Sequence, residues 1–150
     1  MNNGINTAST KEFLLALYKN MKMGADSIVD ISSKVKEGAF RDELAQELDT
    51  YEKFAKRIGK LLYDSGETPK EENIMKKMAT KMGMAMNTLT DSTESHLAQM
   101  MIEGATMGIT ENMKLINEYE EKNVSDEALK LGKDSVKFME ETVEKLKKFL

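Results

Sequence analysis

The sequence predicts an all-α fold, a single antiparallel four-helix bundle, and three observations support this prediction. The chain of 150 residues has one proline and many Glu, Lys, Leu, Met and Ala residues, a composition that favours helices. In three segments the apolar residues recur at alternating steps of three and four, which is typical of helices packed at shallow angles. Capping residues and glycines mark the ends of these segments.

The first predicted helix covers residues 10–36. Ser9 and Glu12 have the spacing of a capping box, and Gly38 is a natural helix stop. Residues 1–9 are expected to form a disordered lead-in to one domain that covers residues 1–150, a length sufficient to bury a sizeable core. The apolar positions of this helix are Leu14, Leu17, Met21, Gly24, Ile28, Ile31 and Val35.

The second and the last predicted helices have the same apolar spacing. The second ends at Asp64, and its apolar positions are Leu44, Leu48, Tyr51, Ala55, Ile58 and Leu62. The last covers residues 125–150, with Ser125 as its N-cap, acidic residues in its first turn and lysines in its last, which complement the helix dipole. Its apolar positions are Leu129, Gly132, Val136, Met139, Val143, Leu146 and Leu150.

The middle of the chain allows two arrangements. Thr68 and Glu71 form a capping box around Pro69, which predicts a new helix start, but a helix from there to residue 122 would be about 80 Å long. A break near Gly83 would make residues 65–83 a helical connector between helices 2 and 3 that carries the chain back along the bundle. A break near Gly108 would give a simple up-down-up-down bundle with an extra helix from residue 110. The first arrangement is preferred.

Composition excludes several classes of function. Without cysteine, the chain has no disulfides, zinc–thiolate sites, iron–sulfur clusters or thiol nucleophiles. The net charge of −4 argues against nucleic acid as a partner. No apolar stretch approaches the roughly 20 residues that span a bilayer, so no membrane partner is expected. The first ten residues lack the features of a signal peptide, and a cytoplasmic location is expected.

Metal chemistry is limited by the single histidine. A di-iron centre in a four-helix bundle needs Glu-x-x-His from each of two helices, and the residue three before His96 is Thr93. His96 and Glu103 are seven apart and share a helix face, so they could hold a single divalent ion with a carboxylate from another helix. The favoured interpretation is a hydrogen-bonded core or boundary histidine. The further carboxylate candidates are Asp26, Asp30, Glu47, Glu140 and Glu144.

Methionine is concentrated in the middle of the chain, where nine of the thirteen methionines lie between residues 75 and 113. Thioethers suit Cu(I), and Met78, Met82 and Met86 align along a helix, but such a row more often fills a core or an adaptable interface. We therefore expect a homo-oligomer, a dimer, formed through a Met-rich third helix. No nucleophile–base set and no glycine-rich phosphate loop occurs in the sequence, so catalysis is not expected.

The run Ser95–Glu111, followed by Lys114–Tyr119, is similar to a segment of small uncharacterised ferritin-like proteins of Gram-positive bacteria. Residues Leu17–Gly24 and Leu146–Leu150 resemble that family too, so the resemblance covers nearly the whole chain. It implies a ferritin-like bundle and no particular activity. The wider superfamily works through a di-iron centre whose Glu-x-x-His motifs this chain lacks, so no ligand residue is carried over.

These observations predict a non-enzymatic bundle that associates with itself or binds a partner, and no cofactor is expected. The alternative is a degenerate metal-binding protein that holds one divalent ion through His96 and carboxylates.

Overall fold

The computed structural model describes residues 4–68 and 91–150, and within these ranges it is entirely helical. The helices are α1 (Thr7–Ser32), α2 (Ala39–Asp64), α3 (Glu94–Tyr119) and α4 (Asp126–Leu146), with a 3-10 turn at Lys147–Phe149. No strand occurs among the described residues. The predicted all-α, four-helix architecture is therefore confirmed. In the described ranges no helix is both long and apolar enough to cross a membrane.

Helix α1 begins earlier than its sequence predicts. Asn6, in an extended conformation, accepts a hydrogen bond from the Ser9 N–H at 3.0 Å, so Asn6 is the N-cap instead of Ser9. The Asn6 N–H also donates to the Asn123 carbonyl at 2.7 Å, which ties this end to the turn between α3 and α4. Residues 7–9, expected in the lead-in, are consequently helical, and the helix ends at Ser32 instead of residue 36.

The N-cap of α4 is Ser125, as predicted. Its hydroxyl accepts a hydrogen bond from the Ala128 N–H at 3.2 Å, which satisfies one of the free donors of the first turn. The α-helix ends at Leu146 and tightens into the 3-10 turn, four residues before the predicted end. Leu150 is 60% exposed, so its assignment to the apolar seam is wrong.

Helix α3 runs through Gly104 and Gly108 without interruption. The alternative with a break near Gly108 and a new helix from Thr110 is therefore wrong, and the Thr110 hydroxyl donates to the Thr106 carbonyl within the helix. Thr93 caps the N-terminus by accepting from the His96 N–H at 3.3 Å. Gly83, most of the predicted 65–83 connector and the helix start at Pro69 lie outside the described residues.

The core is shared by all four helices. Most of the predicted seam positions are buried, and full burial of each such aliphatic side chain contributes about 1.5–3 kcal/mol. Aromatic pairs join helix ends: Phe13 lies 5.8 Å from Tyr119, and Phe40 lies 5.0 Å from Phe149, measured between ring centroids. The largest fully buried side chains are Phe13, Phe40, Leu14, Leu17, Met21, Ile28, Ile31, Leu44, Ile58, Leu62, Leu97 and Leu131.

Candidate functional site

A cavity of about 450 Å³ lies among the four helices, and we call it the Glu47 cavity after its one fully buried carboxyl group. Ligand-binding cavities have volumes of about 300–1,000 Å³, so this one could hold a small molecule. Apolar and small side chains form most of the wall. The lining residues include Met23, Gly24 and Ser27 of α1, Glu47 and Tyr51 of α2, Met100, Met101, Glu103, Gly104, Met107, Gly108 and Glu111 of α3, and Met139 and Thr142 of α4.

Two glycines allow side chains of neighbouring helices to pack closely at the cavity wall. The Tyr51 ring lies so near Gly24 that a Cβ atom there would overlap it. The same ring makes an edge-to-face contact with Phe138, with centroids 4.9 Å apart. Gly108 plays a similar part for Met139, whose Sδ would be 2.8 Å from an added Cβ. The Tyr51 ring is therefore held between α1 and α4, on the cavity wall.

Glu47 is the unusual group of this cavity because it is only 2% exposed. Neither carboxyl oxygen has a hydrogen-bond partner among the described residues. Burial and the Glu43 carboxyl one turn earlier raise the pKa of Glu47 to about 9, and the Lys145 charge opposes the rise. No hydrogen bond of normal geometry joins Glu43 and Glu47, so we attribute the effect of Glu43 to its proximity. At neutral pH Glu47 is therefore protonated.

The pKa of Tyr51 is affected by the same buried environment. Burial raises the pKa of the Tyr51 phenol well above its usual range, and the neighbouring Glu47 raises it further. Tyr51 follows Glu47 by one helical turn, so both side chains lie on the same face of α2. The cavity thus has a neutral carboxyl and a neutral phenol side by side on its α2 wall.

The two residues predicted to hold a metal, His96 and Glu103, both lie on α3. His96 is half-buried in the first turn of α3, whereas Glu103 is exposed and accepts from the Gln99 amide at 3.1 Å. Within residues 4–68 and 91–150 no three His, Asp or Glu side chains are grouped as metal ligands would be. Of the predicted acidic residues, only Glu47 and Glu103 line the cavity, and Glu144 pairs with Lys147 at 2.6 Å. The metal site at His96 and Glu103 stays a prediction.

A second buried polar group, which we call the Asn112 cluster, consists of Asn20, Asn112 and Ser135 and was not predicted. Asn112 is 0% exposed, and its Oδ1 accepts from the Asn20 amide at 2.7 Å. Its own amide donates to the Ser135 Oγ at 3.0 Å, and that hydroxyl donates to the Gly132 carbonyl at 2.7 Å. This cluster joins α1, α3 and α4 with satisfied hydrogen bonds.

The methionines of α3 divide between the interior and the surface. Met101 is buried and Met100 half-buried, whereas Met107 is 66% and Met113 40% exposed. Met107 also lines the cavity, so it marks the place where the cavity meets solvent. The other methionines of the predicted Met-rich segment, from Met75 to Met86, lie outside the described residues.

No family model, curated protein sequence or solved structure matches this chain.

Proposed function

We propose that this chain is a non-enzymatic binding protein whose Glu47 cavity holds one small, mainly apolar molecule. The observation that carries the proposal is Glu47 itself, which lines a cavity of about 450 Å³ and whose two buried carboxyl oxygens have no hydrogen-bond partner among the described residues. A buried polar group left without a partner costs about 1–3 kcal/mol. Buried polar groups in folded proteins are nearly always paired, and a ligand in the cavity would supply the missing partner.

The walls of the cavity support binding of a mainly apolar molecule. Met23, Met100, Met101, Met107 and Met139 line it, and methionine adapts its three flexible bonds to the shape of what it packs against. A hydroxyl on the wall is already engaged. The Ser27 Oγ donates to the Met23 carbonyl at 2.8 Å, which argues for a structural hydroxyl and against a nucleophile.

The proposal is tested by titrating the full chain with two probes of matched shape, neutral 2-phenylethanol and cationic 2-phenylethylamine. The expected result is saturable binding of at least one probe, with amide shifts in the two-dimensional NMR spectrum concentrated at Gly24, Tyr51 and Gly108. Gly104 is an exposed residue of the cavity lining, and a Cβ there would meet nothing within 4 Å. Gly104→Phe should therefore obstruct the opening of the cavity and weaken binding at least about tenfold, or about 1.4 kcal/mol.

Gly104→Ala is the matched control because it changes the same glycine and leaves the cavity open. It should bind the probes as the wild type does. Saturable binding that Gly104→Phe leaves unchanged, or no saturable binding of either probe, would contradict the proposal.

We also propose a ferritin-like topology in which sequence neighbours α1/α2 and α3/α4 are antiparallel and α2 and α3 run in the same direction. The short links at residues 33–38 and 120–125 favour antiparallel neighbours. The contact of Phe13 near the start of α1 with Tyr119 at the end of α3 supports opposite directions for those two helices. The contact of Phe40 with Phe149 supports the same for α2 and α4. The longer link at residues 65–93 would then be the crossover.

Spin labels provide the test of this topology, because the chain has no native cysteine to interfere. Labels at Tyr63→Cys and Glu118→Cys mark the C-terminal ends of α2 and α3. Parallel helices would place the labels within about 25 Å, whereas antiparallel helices of 26 residues would separate them by about 39 Å or more. The longer distance would overturn the proposed topology.

A second candidate function is self-association through α3, supported by its exposed methionines Met107 and Met113. Met113 does not line the cavity, so it separates this function from ligand binding. If the wild type sediments as a dimer, Met113→Lys should shift it to monomer while probe binding persists. A monomeric wild type at all accessible concentrations would end this candidate.

A further inference from the structure

We propose that the Glu47 cavity selects organic cations, namely a primary ammonium group on a compact apolar body, with the ammonium against Glu47 and the body along the methionine walls. This inference rests on the proposed function and adds the charge class of the ligand.

The ionisable groups that line the cavity are acidic, apart from the Tyr51 phenol. Glu47 lies inside, and Glu103 and Glu111 lie on the exposed side of α3, whereas no Lys, Arg or His is found among the described lining residues. Among the described lining residues an anionic ligand would meet like charges and a buried carboxyl group, both of which are unfavourable, and the Lys145 charge that acts on Glu47 opposes this effect. A cation would be attracted towards the opening by Glu103, whereas Glu111 is already paired with Lys114 at 3.7 Å.

The hydrogen-bonding need of Glu47 matches an ammonium group. Among the described residues neither carboxyl oxygen has a partner, and an ammonium group has three donors, so one group can serve both oxygens. Hydrogen bonds that involve charged groups are stronger than neutral ones. The aromatic face of Tyr51 and the polarisable methionine thioethers are also favourable neighbours for a cation.

When an ammonium group binds, its positive charge replaces the proton that Glu47 releases. Without an ammonium group beside it Glu47 is protonated, because burial and Glu43 raise its pKa to about 9 against the opposing charge of Lys145. Pairing with an ammonium group needs the carboxylate, so the Glu47 proton leaves to solvent as the cation enters. The groups known to act on Glu47 or to face the same space are Glu43, Tyr51, Glu103, Glu111 and Lys145.

Two results follow from this exchange. Amine binding at about neutral pH should release close to one proton, and amine affinity should rise up to about tenfold per pH unit until pH approaches the Glu47 pKa of about 9. A neutral ligand of the same shape should release no proton, and its affinity should not rise with pH.

The test is isothermal titration calorimetry of the full chain with three probes of matched shape: 2-phenylethylamine, 2-phenylethanol and 3-phenylpropanoate. Each titration is repeated in two buffers of different ionisation enthalpy, which counts the protons released. The amine should bind at least about tenfold more tightly than the alcohol, corresponding to about 1.4 kcal/mol, and the anion should bind most weakly.

Variants assign the selectivity to Glu47. Glu47→Gln should abolish proton release and remove the preference for the amine over 2-phenylethanol. Glu52→Gln makes the same chemical change on the exposed surface of α2, away from the cavity, and should behave as the wild type. Proton release by the wild type needs no variant, so the inference remains testable if Glu47→Gln folds poorly.

The outcomes separate this inference from the proposed function. Equal binding of amine and alcohol, both weakened by Gly104→Phe, would overturn cation selectivity and leave the binding cavity intact. An amine preference that persists in Glu47→Gln would overturn the role of Glu47. No binding of any probe would overturn the inference together with the proposed function.

Discussion

Asn112 and Glu47 are buried polar side chains in the same helical core, yet their hydrogen-bonding states are opposite. Asn112 uses its carbonyl and its amide within the Asn112 cluster, and three helices share the resulting bonds. Glu47 has neither oxygen paired among the described residues and lies on the wall of a cavity. A satisfied buried group stabilises and orients helices, whereas an unsatisfied group beside a cavity is suited to a ligand. The difference distinguishes the structural region from the candidate binding region.

The strongest consequence of this difference should be the pH dependence that Glu47 gives to the free energy of unfolding. Between pH 4.5 and about 9 the folded state keeps a proton on Glu47 that the unfolded state has released. The unfolded chain then binds fewer protons, so the free energy of unfolding falls as pH rises, by up to about 1.4 kcal/mol per pH unit. Below this pH range Glu47 causes no loss of unfolding free energy, and above it the whole loss is present.

Urea unfolding of the wild type and Glu47→Gln should therefore diverge with pH. The variant should gain up to about 4 kcal/mol relative to the wild type between about pH 5 and about pH 8. Glu52→Gln serves as the surface control, and its unfolding free energy should change with pH as that of the wild type does. Parallel curves for Glu47→Gln would mean that Glu47 is charged, or paired, in the folded state.

The next largest effect comes from apolar replacements at the two buried groups. Asn112→Leu removes the partner of the Asn20 amide and one partner of Ser135, so we expect a loss of about 2 kcal/mol in unfolding free energy. The loss should be independent of pH. Glu47→Leu removes an unpaired buried group and should stabilise the chain at about pH 8. If both replacements changed the unfolding free energy in the same direction in urea unfolding, the contrast between a paired Asn112 and an unpaired Glu47 would be wrong.

Two helical glycines extend the comparison to packing, beginning with Gly132 beside the Asn112 cluster. A Cβ atom at Gly132 would lie 2.8 Å from the Phe13 Cζ and 3.3 Å from the Ile116 Cγ1. Because both neighbours are buried core side chains, Gly132→Ala should cost about 1–3 kcal/mol of unfolding free energy. A lowered midpoint of thermal unfolding would show this loss, and an unchanged midpoint would mean that the core yields at no cost.

The smallest effect is expected at Gly104, on the cavity wall. A Cβ atom there would meet nothing within 4 Å, and alanine has a higher helix propensity than glycine. Gly104→Ala should therefore stabilise α3 and raise the unfolding free energy by about 0.5–1 kcal/mol. The opposite signs of Gly104→Ala and Gly132→Ala, measured side by side, would separate the open region from the packed one.

More of the fold than of the candidate site can be predicted from the sequence. Heptad spacing located the seams of α1, α2 and α4, because burial follows the helical period, and Ser125 was found from its cap chemistry. The start of α1 was misplaced because Asn6 caps the helix and is held by a distant residue, Asn123. Such a long-range bond leaves no local signal.

The site was predicted only in fragments. Glu47 was named as one carboxylate among several, but its isolation from metal ligands and its place on a cavity wall depend on how four helices meet. A usable signal did exist, since Glu47 and Asn112 are polar residues at positions where the apolar period expects hydrophobic ones. What that signal could not supply is the presence or absence of a partner, which distinguishes the two residues.

The position of Tyr51 on the cavity wall has a consequence for the fluorescence of the protein. The chain has no tryptophan and four tyrosines, so its ultraviolet fluorescence comes from tyrosine alone. Tyr51 lies on the cavity wall beside Glu47, whereas Tyr63 is 75% exposed on the far part of α2 and reports on solvent. A molecule that enters the cavity changes the surroundings of one emitter and leaves the other as an internal reference. The unlabelled protein thus carries its own optical sensor of cavity occupancy.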